Sequence, residues 1–467
     1  MEQIEQNIKN PMGFKPIHKL LLSLAIPAII ANVVNALYNI VDQIYIGQGV
    51  GYLGNAATNI AFPITTICMA IGLMVGLGAA SNFNLELGRK NPDKAKHVAA
   101  SAASLLLICG IILCLVIRIY LKPMMLAFGA TDQILNYAME YTGVTSFGIP
   151  FLLFSTGINP LVRADGSSAY SMIAIVIGAI LNIILDPIFI FNFGMGMAGA
   201  AWATVISQIV SAILLLIYFP KFKTVKFSLK DFIPKVSAIK VIVVLGFSSF
   251  IFQFSTMIIQ IVTNNLLNTY GGTSVYGSEI PIAVAGIVSK INVIFTSVVL
   301  GVVQGSQPIC GYNYGAGNFK RVRKTVKLLM LITFSISICA FIAFECFPTQ
   351  IISLFGSGND LYFEFAAKYM RIFLFFTFIN GIQIACTTFF PAIGKAVKGA
   401  ILSLTKQIIF LLPLLIILPS LIGIDGLIYA APISDFIAFI VAIVLLIAEF
   451  KIMPKELKEK EEFYAES

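Results

Sequence analysis

Long apolar blocks alternate with short polar, glycine- or proline-marked breaks along the whole chain. About 20 apolar residues in a helix, at roughly 1.5 Å of rise each, cross the hydrocarbon of a bilayer. Read between the breaks, the blocks predict twelve transmembrane helices. They cover residues 18–46, 53–86, 94–120, 132–160, 167–192, 196–219, 238–270, 281–312, 322–346, 360–391, 396–419 and 426–450. Several exceed the minimum length, which predicts tilt or projection beyond the bilayer. The expected fold class is an all-α polytopic membrane protein.

Composition agrees. Of 467 residues, 58% are hydrophobic and 11% charged, and the mean hydropathy is +0.93. A soluble domain carries roughly 25% charged residues. The net charge of +9 would suggest nucleic acid in a soluble protein. Position gives another reason for it. Of the 31 lysines and arginines, 25 fall in the terminal segments and in every second connection. The intervening connections hold Arg118 and Lys122. The positive-inside rule then places both termini in the cytoplasm, in a multi-pass protein of the plasma (inner) membrane. The first apolar block is too long for a signal-peptide core and reads as a retained anchor. The seven cysteines lie in apolar blocks without a CxxC pair. That pattern gives no zinc or redox motif.

The chain repeats itself at an offset of 227 residues. Gly78 maps onto Gly305, Gly88 onto Gly315, Asn91 onto Asn318, Gly196 onto Gly423 and Ser207 onto Ser434. LAFGA at 126–130 maps onto SLFGS at 353–357. Each repeat holds six spans, an even number, so both start on the same side of the membrane. They form two lobes related by a pseudo-twofold axis along the membrane normal. The expected organisation is a first lobe over 1–219, a basic linker over 220–237, a second lobe over 238–450 and a charged tail over 451–467.

Chemistry is sought where the repeats differ. Asp186 maps to Pro413, Asn182 to Ile409 and Thr204 to Ala431, and Asp42 maps near Thr263. By depth, Asp42, Asp186 and Thr204 all fall in the outer half of the first lobe. Asn182 shares a helical face with Asp186 at i, i+4. A carboxylate there needs a partner, a metal cation or a proton. No lysine or arginine lies at that depth in the first, second, fifth or sixth helix. The expected partner is therefore mobile, H⁺ or Na⁺, with Asp42 and Asp186 as its anionic ligands and Asn182 and Thr204 as neutral ones. The competing structural reading is that both acids sit at the wet outer interface.

Lys290, Lys406 and Asp435 are buried polar candidates of the second lobe. They read as one internal ion pair across the eighth, eleventh and twelfth helices, with substrate contact as the alternative. Tyr38 and Tyr141 are placed to flank the acids. Pro27 lacks a backbone donor and bends or loosens the first helix.

The segments LAIPAIIANVVNALYNIVDQIYIG, LGRKNPDKAKHV, RADGSSAYSM, NIILDPIFIFNFGMGMAGAAWAT and QPICGYNYGAGNFKRVRK resemble the MATE family of multidrug and toxic compound extrusion transporters. The resemblance covers nearly the whole chain. It implies cation-coupled export of amphipathic, often cationic small molecules by alternating access. In one branch of the family the coupling site matches Asp42, Asn182, Asp186 and Thr204. The resemblance also assigns Tyr38, Tyr141 and Asn159 near that site, although the depth of Asn159 points toward the cytoplasmic end. Lys290 is carried as a further substrate-binding candidate on its own position.

The resulting expectation is an H⁺- or Na⁺-driven antiporter, acting as a monomer in the bilayer without a cofactor or nucleic acid. No G-x-x-x-x-G-K-[ST] pattern points to ATP. A rival reading is a flippase of the related lipid-linked sugar class, which calls for several cations lining a central cavity. An intramembrane enzyme would need a nucleophile–base pair or clustered acids, and neither is visible.

Overall fold

The computed structural model describes residues 10–277, 279–354 and 360–454. Its spans are α1 Ile17–Gly49, α2 Tyr52–Gly88, α3 Pro92–Ile119, α4 Asp132–Ala164, α5 Ser168–Asn192 and α6 Gly196–Lys221. The second set is α7 Val236–Gly272, α8 Glu279–Gly315, α9 Phe319–Cys346, α10 (Asp360–Phe373 with Thr377–Ala392), α11 Ala396–Ile422 and α12 Ile424–Ile452. Eleven helices are long and apolar enough to cross a membrane, and the bent pair α10 makes twelve. Residues 1–9 and 455–467, which include most of the expected charged tail, and part of the SLFGS repeat segment lie outside the described residues.

The helices are not uniform rods. Two halves of α10 meet at 47° across residues 374–376, a stretch with neither proline nor glycine. Aromatic contacts hold the elbow. Phe376 stacks on Phe436 of α12, and Phe375 meets Phe341 of α9 edge-on. A three-residue 3₁₀ turn, Ser146–Gly148, interrupts α4. Wider π turns sit at Ile188–Asn192 in α5 and Thr405–Leu411 in α11. The first follows Pro187, which cannot donate the next helical bond. In contrast, α1 runs through Pro27 as one helix.

Glycine sets how the two lobes meet. An added Cβ at Gly78 of α2 would lie 2.0 Å from the Ile242 carbonyl of α7. At Gly305 of α8 it would lie 2.7 Å from the Ala25 nitrogen of α1. Thus α2 crosses α7 as α8 crosses α1, and the repeat-related glycines occupy equivalent crossings. Gly88 and Gly315 do the same where α2 and α8 end side by side. Asn32 adds a hydrogen bond from α1 to Gln304 of α8, 3.2 Å. Asn313 and Arg321 of the second lobe both donate to the carbonyl of Met12. All of these contacts lie in the half of the bundle that carries the N-terminal segment and the linker.

Toward the other face the lobes separate. Asn39 of α1, Asn264 of α7 and Lys290 of α8, which continue the lobe-facing stripes of Asn32, Gly246 and Gln304, are exposed there. Lys290 lies seven residues, about two turns, from Ser297 and fourteen from Gln304. Both of those meet Asn32. Lys290 therefore shares the stripe of α8 that faces the first lobe, but at a level where the lobes have parted.

The linker is more than a tether. Phe222 and Phe227 pack on Phe219 of α6, with ring centroids 5.5 and 5.2 Å away. The Asp165 carboxylate, from RADGSS after α4, accepts from Tyr218 (2.7 Å) and from the amides of Lys223 (2.7 Å) and Thr224 (3.0 Å). Asp231 closes a short 3₁₀ turn by accepting from the Ser228 amide at 2.8 Å, and it lies 3.4 Å from Lys96 of α3. The Ser228 amide is the chief cause holding its carboxyl below the usual carboxylate range, with burial opposing. The contribution of this clasp is present at neutral pH and is lost as pH falls through that lowered value. Asp231→Ala is expected to speed tryptic cleavage at Lys230 severalfold relative to the parent protein, read by gel after timed digestion.

Candidate functional site

The inner face of α5 carries Gly178, Asn182 and Asp186 at four-residue spacing, while Ile177, Ile180 and Ile184 face outward. Glycine at 178 lets α5 press on α6, since a Cβ there would lie 2.1 Å from the Ser211 hydroxyl. That approach brings Asn182 to Thr204 of α6. The Asn182 amide donates to Asp186 Oδ1 at 3.3 Å and faces Thr204 Oγ1 at 3.5 Å. Asn182 and Asp186 are buried, at 1% and 0% exposure.

Asp42 reaches the cluster from α1. Its carboxyl neighbours that of Asp186, so the two acids act on each other directly. The outer end of α1 leans on the π turn of α5, with Tyr45 edge-on to Phe191 at 6.3 Å. Tyr38 of α1 and Tyr141 of α4 border both acids, and Tyr141 also borders Thr204. The structure thus brings together Asp42, Asn182, Asp186, Thr204, Tyr38 and Tyr141.

The charge balance of this cluster is incomplete. Among the described residues, neither acid forms a salt bridge. Three oxygens (Asp42 Oδ1, Asn182 Oδ1 and Asp186 Oδ2) are buried without a hydrogen-bond partner. Two adjacent buried carboxylates lacking a fixed cation cost several kcal/mol if both are ionised. A proton or a small hard cation removes that cost, and carboxylate, amide and hydroxyl oxygens suit either. Among the described residues, no three His, Cys, Asp or Glu side chains converge as a transition-metal site would require.

Asn159 and Lys290 lie apart from this cluster. Asn159 is buried near the opposite end of α4, where it donates to the Ser171 carbonyl at 3.0 Å and accepts from the Ser171 hydroxyl at 2.8 Å. Arg163 also donates to it. This is a brace between α4 and α5, and both lone pairs of its amide oxygen are already used. The expectation that Lys290 shares an ion pair with Lys406 and Asp435 is corrected. Lys406 of α11 pairs with Asp435 of α12 at 2.8 Å, and the additional partner is Asn380 of α10. Lys290 is exposed on the cleft side of α8 instead.

Sequence reading also missed Lys368, which pairs with Asp425 at 2.7 Å between α10 and α12. Its signal was a lysine and an aspartate in neighbouring outer segments, too common a pattern to single out. Asn32 and Gln304 were legible only as polar residues in apolar runs.

Two six-helix lobes that pack closely at one end and part around a polar cleft at the other define a membrane transporter fold. The MatE family profile matches residues 27–188 and 244–417. The chain belongs to the MatE family, and it is a transporter rather than an enzyme. It is 25% identical over 436 residues to the multidrug export protein MepA of Staphylococcus haemolyticus, covering 92% of this chain and 93% of that one. With MepA of Staphylococcus aureus the identity is 26% over 432 residues, covering 92% and 94%. A multidrug resistance MATE family transporter solved in an outward-facing conformation superposes with a TM-score of 0.87 at 24% identity, covering 98% of this chain and 99% of that chain. A MOP superfamily transporter from Pyrococcus furiosus gives the same TM-score, identity and coverage.

Thr204→Val keeps the shape of the side chain and removes one oxygen. If Thr204 is one of the neutral cation ligands expected from the sequence, its loss weakens apparent cation affinity about 3-fold, read from transport rate against cation concentration.

Proposed function

We propose that this protein is a secondary active multidrug efflux antiporter. It exports amphipathic, often cationic small molecules in exchange for H⁺ or Na⁺ by alternating access. The observation that carries this reading is the unbalanced acidic pair, Asp42 with Asp186, joined by Asn182 and Thr204. The names of the MepA relatives support the substrate class.

In the cycle, substrate occupies the outward cleft while the two acids lack their cation. Cation arrival at Asp42 and Asp186 changes how α1 packs on α5 and α6, and substrate leaves outward. The lobes (1–219 and 238–450, joined by 220–237) then open to the cytoplasm, the cation departs and substrate reloads. Tyr38 and Tyr141 offer rings to a flat cationic substrate beside the acids. The protein works as a monomer in the plasma membrane with both termini cytoplasmic, as the basic connections indicate. Lys406 and Lys368 are each neutralised by an aspartate, which leaves Lys290 as the cleft's free cation among the described residues. A lipid-linked anionic headgroup would call for more.

The test is ethidium transport in proteoliposomes with proton and sodium gradients imposed separately. One gradient is expected to drive uphill transport and the other to leave it at the passive rate. Equal, gradient-independent leakage in both would overturn the reading.

A further inference from the structure

The second lobe holds an ammonium inside a ring of oxygens. Lys406 Nζ lies 2.8 Å from Asp435 Oδ1, 3.4 Å from Asn380 Oδ1 and 3.4 Å from Gln383 Oε1. The other Asp435 oxygen accepts from Asn380 Nδ2 at 2.9 Å. Three helices (α10, α11 and α12) contribute. The Lys406 and Asp435 side chains are 19% and 11% exposed, and Gln383 is 4% exposed. One carboxylate and two amide oxygens around a single positive charge also make an oxygen set suited to an alkali ion.

The contrast with the first lobe is specific. There, a carboxylate and amide cluster leaves Asp42 Oδ1, Asn182 Oδ1 and Asp186 Oδ2 without partners. Here, none of the oxygens of Asp435, Asn380 or Gln383 is left so. The local backbone fits the same picture. Lys406 sits in the π turn Thr405–Leu411, and the Ser434 hydroxyl donates to its carbonyl at 2.6 Å. That turn widens α11 where the ammonium must reach across to α10 and α12.

We propose that the second lobe contains a monovalent-cation site whose permanent occupant is the chain's own Lys406 ammonium. External cations are thereby kept out of the second-lobe site. Removing the ammonium while keeping Asp435, Asn380 and Gln383 creates a vacancy that Na⁺ or a small primary alkylammonium fills. The inference does not rest on the first-lobe reading, because its readout is thermal stability and not transport.

The experiment compares wild type, Lys406→Ala and Lys406→Ala with Asp435→Asn, purified in detergent with choline as the background cation. Melting is followed on adding NaCl or ethylammonium chloride. Lys406→Ala is expected to melt below wild type in choline. It should regain roughly half or more of that loss, saturably, in one of the two small cations. Wild type shows no such gain beyond its own baseline response. The double variant, with no charge to compensate, gains no more than wild type. Ethylammonium rescue would identify a cavity shaped for the lost side chain, and Na⁺ rescue one that contracts around a bare ion; either supports the proposal. A Lys406→Ala response no larger than that of wild type or the double variant would overturn it. So would failure of Lys406→Ala to accumulate in any of these salts while the double variant purifies normally.

Discussion

Asp42→Asn and Asp186→Asn are each expected to abolish gradient-driven efflux while leaving a folded protein. Asparagine keeps the size of the side chain and its capacity to bond, and it removes the charge that attracts the cation in the proposed cycle. At Asp186 the substitution still offers an oxygen to Asn182, 3.3 Å away in the parent. At Asp42 it ends the confrontation of two acids. Melting temperature is therefore expected to hold or rise, since one uncompensated buried charge disappears. Efflux is expected to fall by about 10-fold or more, because tenfold corresponds to only ~1.4 kcal/mol of driving interaction. Whole-cell ethidium efflux, with expression and melting measured on the same variants, checks this. Full efflux by either variant would deny that carboxylate a part in coupling.

Gly246→Val is expected to be nearly as damaging, by a different route. A Cβ at Gly246 of α7 would lie 1.7 Å from the Met74 carbonyl of α2. The opposing atom is backbone, so no change of rotamer makes room. Overpacking of a tight contact costs about 1–3 kcal/mol where neighbours can shift, and here the neighbour is another lobe. The relief available is for the lobes to part at this end. Ser81, buried at 6%, lines the small gap between the lobes with Arg163 and Gln307. A cysteine introduced there by Ser81→Cys, in a background stripped of the seven native cysteines, is expected to react with maleimide several times faster once Gly246→Val is added. Transport should be lost in parallel. Unchanged labelling with unchanged transport would show that the crossing is looser than its geometry implies.

The fold was legible because a bilayer imposes a coarse rule. Apolar length marks spans, and charge placement marks their ends. The repeat was legible because glycine is irreplaceable where backbones touch. Gly78 with Gly305, and Gly88 with Gly315, fall at equivalent lobe contacts. Two of the interruptions were not legible. The elbow of α10 carries neither proline nor glycine and is held by Phe375 and Phe376 against other helices. The π turn at Thr405–Leu411 has its Lys406 carbonyl bonded by Ser434 of another helix.

Candidate site residues were legible to the extent that burial makes charge expensive. Asp42, Asn182, Asp186 and Thr204 stood out as polar groups in apolar helices, and they do converge. Depth alone could not rank the lysines. Lys406 and Lys290 look alike in sequence, yet one is paired at 2.8 Å and the other faces the cleft. The face a residue presents is decided by neighbouring helices, and hydropathy carries no record of it. Asn159 shows the same limit, since its partners on α5 became visible only once α4 and α5 were packed.

The central claim is that Asp42 and Asp186 hold an ion that substrate must displace. Its most direct test is ion release on substrate binding to purified protein, in weakly buffered detergent solution, followed with proton and sodium electrodes. Wild type is expected to release H⁺ or Na⁺ as ethidium binds, in saturable proportion to bound drug. The Asp42→Asn, Asp186→Asn double variant is expected to bind ethidium with no release. Equal release from the double variant, or drug binding by wild type with neither ion released, would contradict the account.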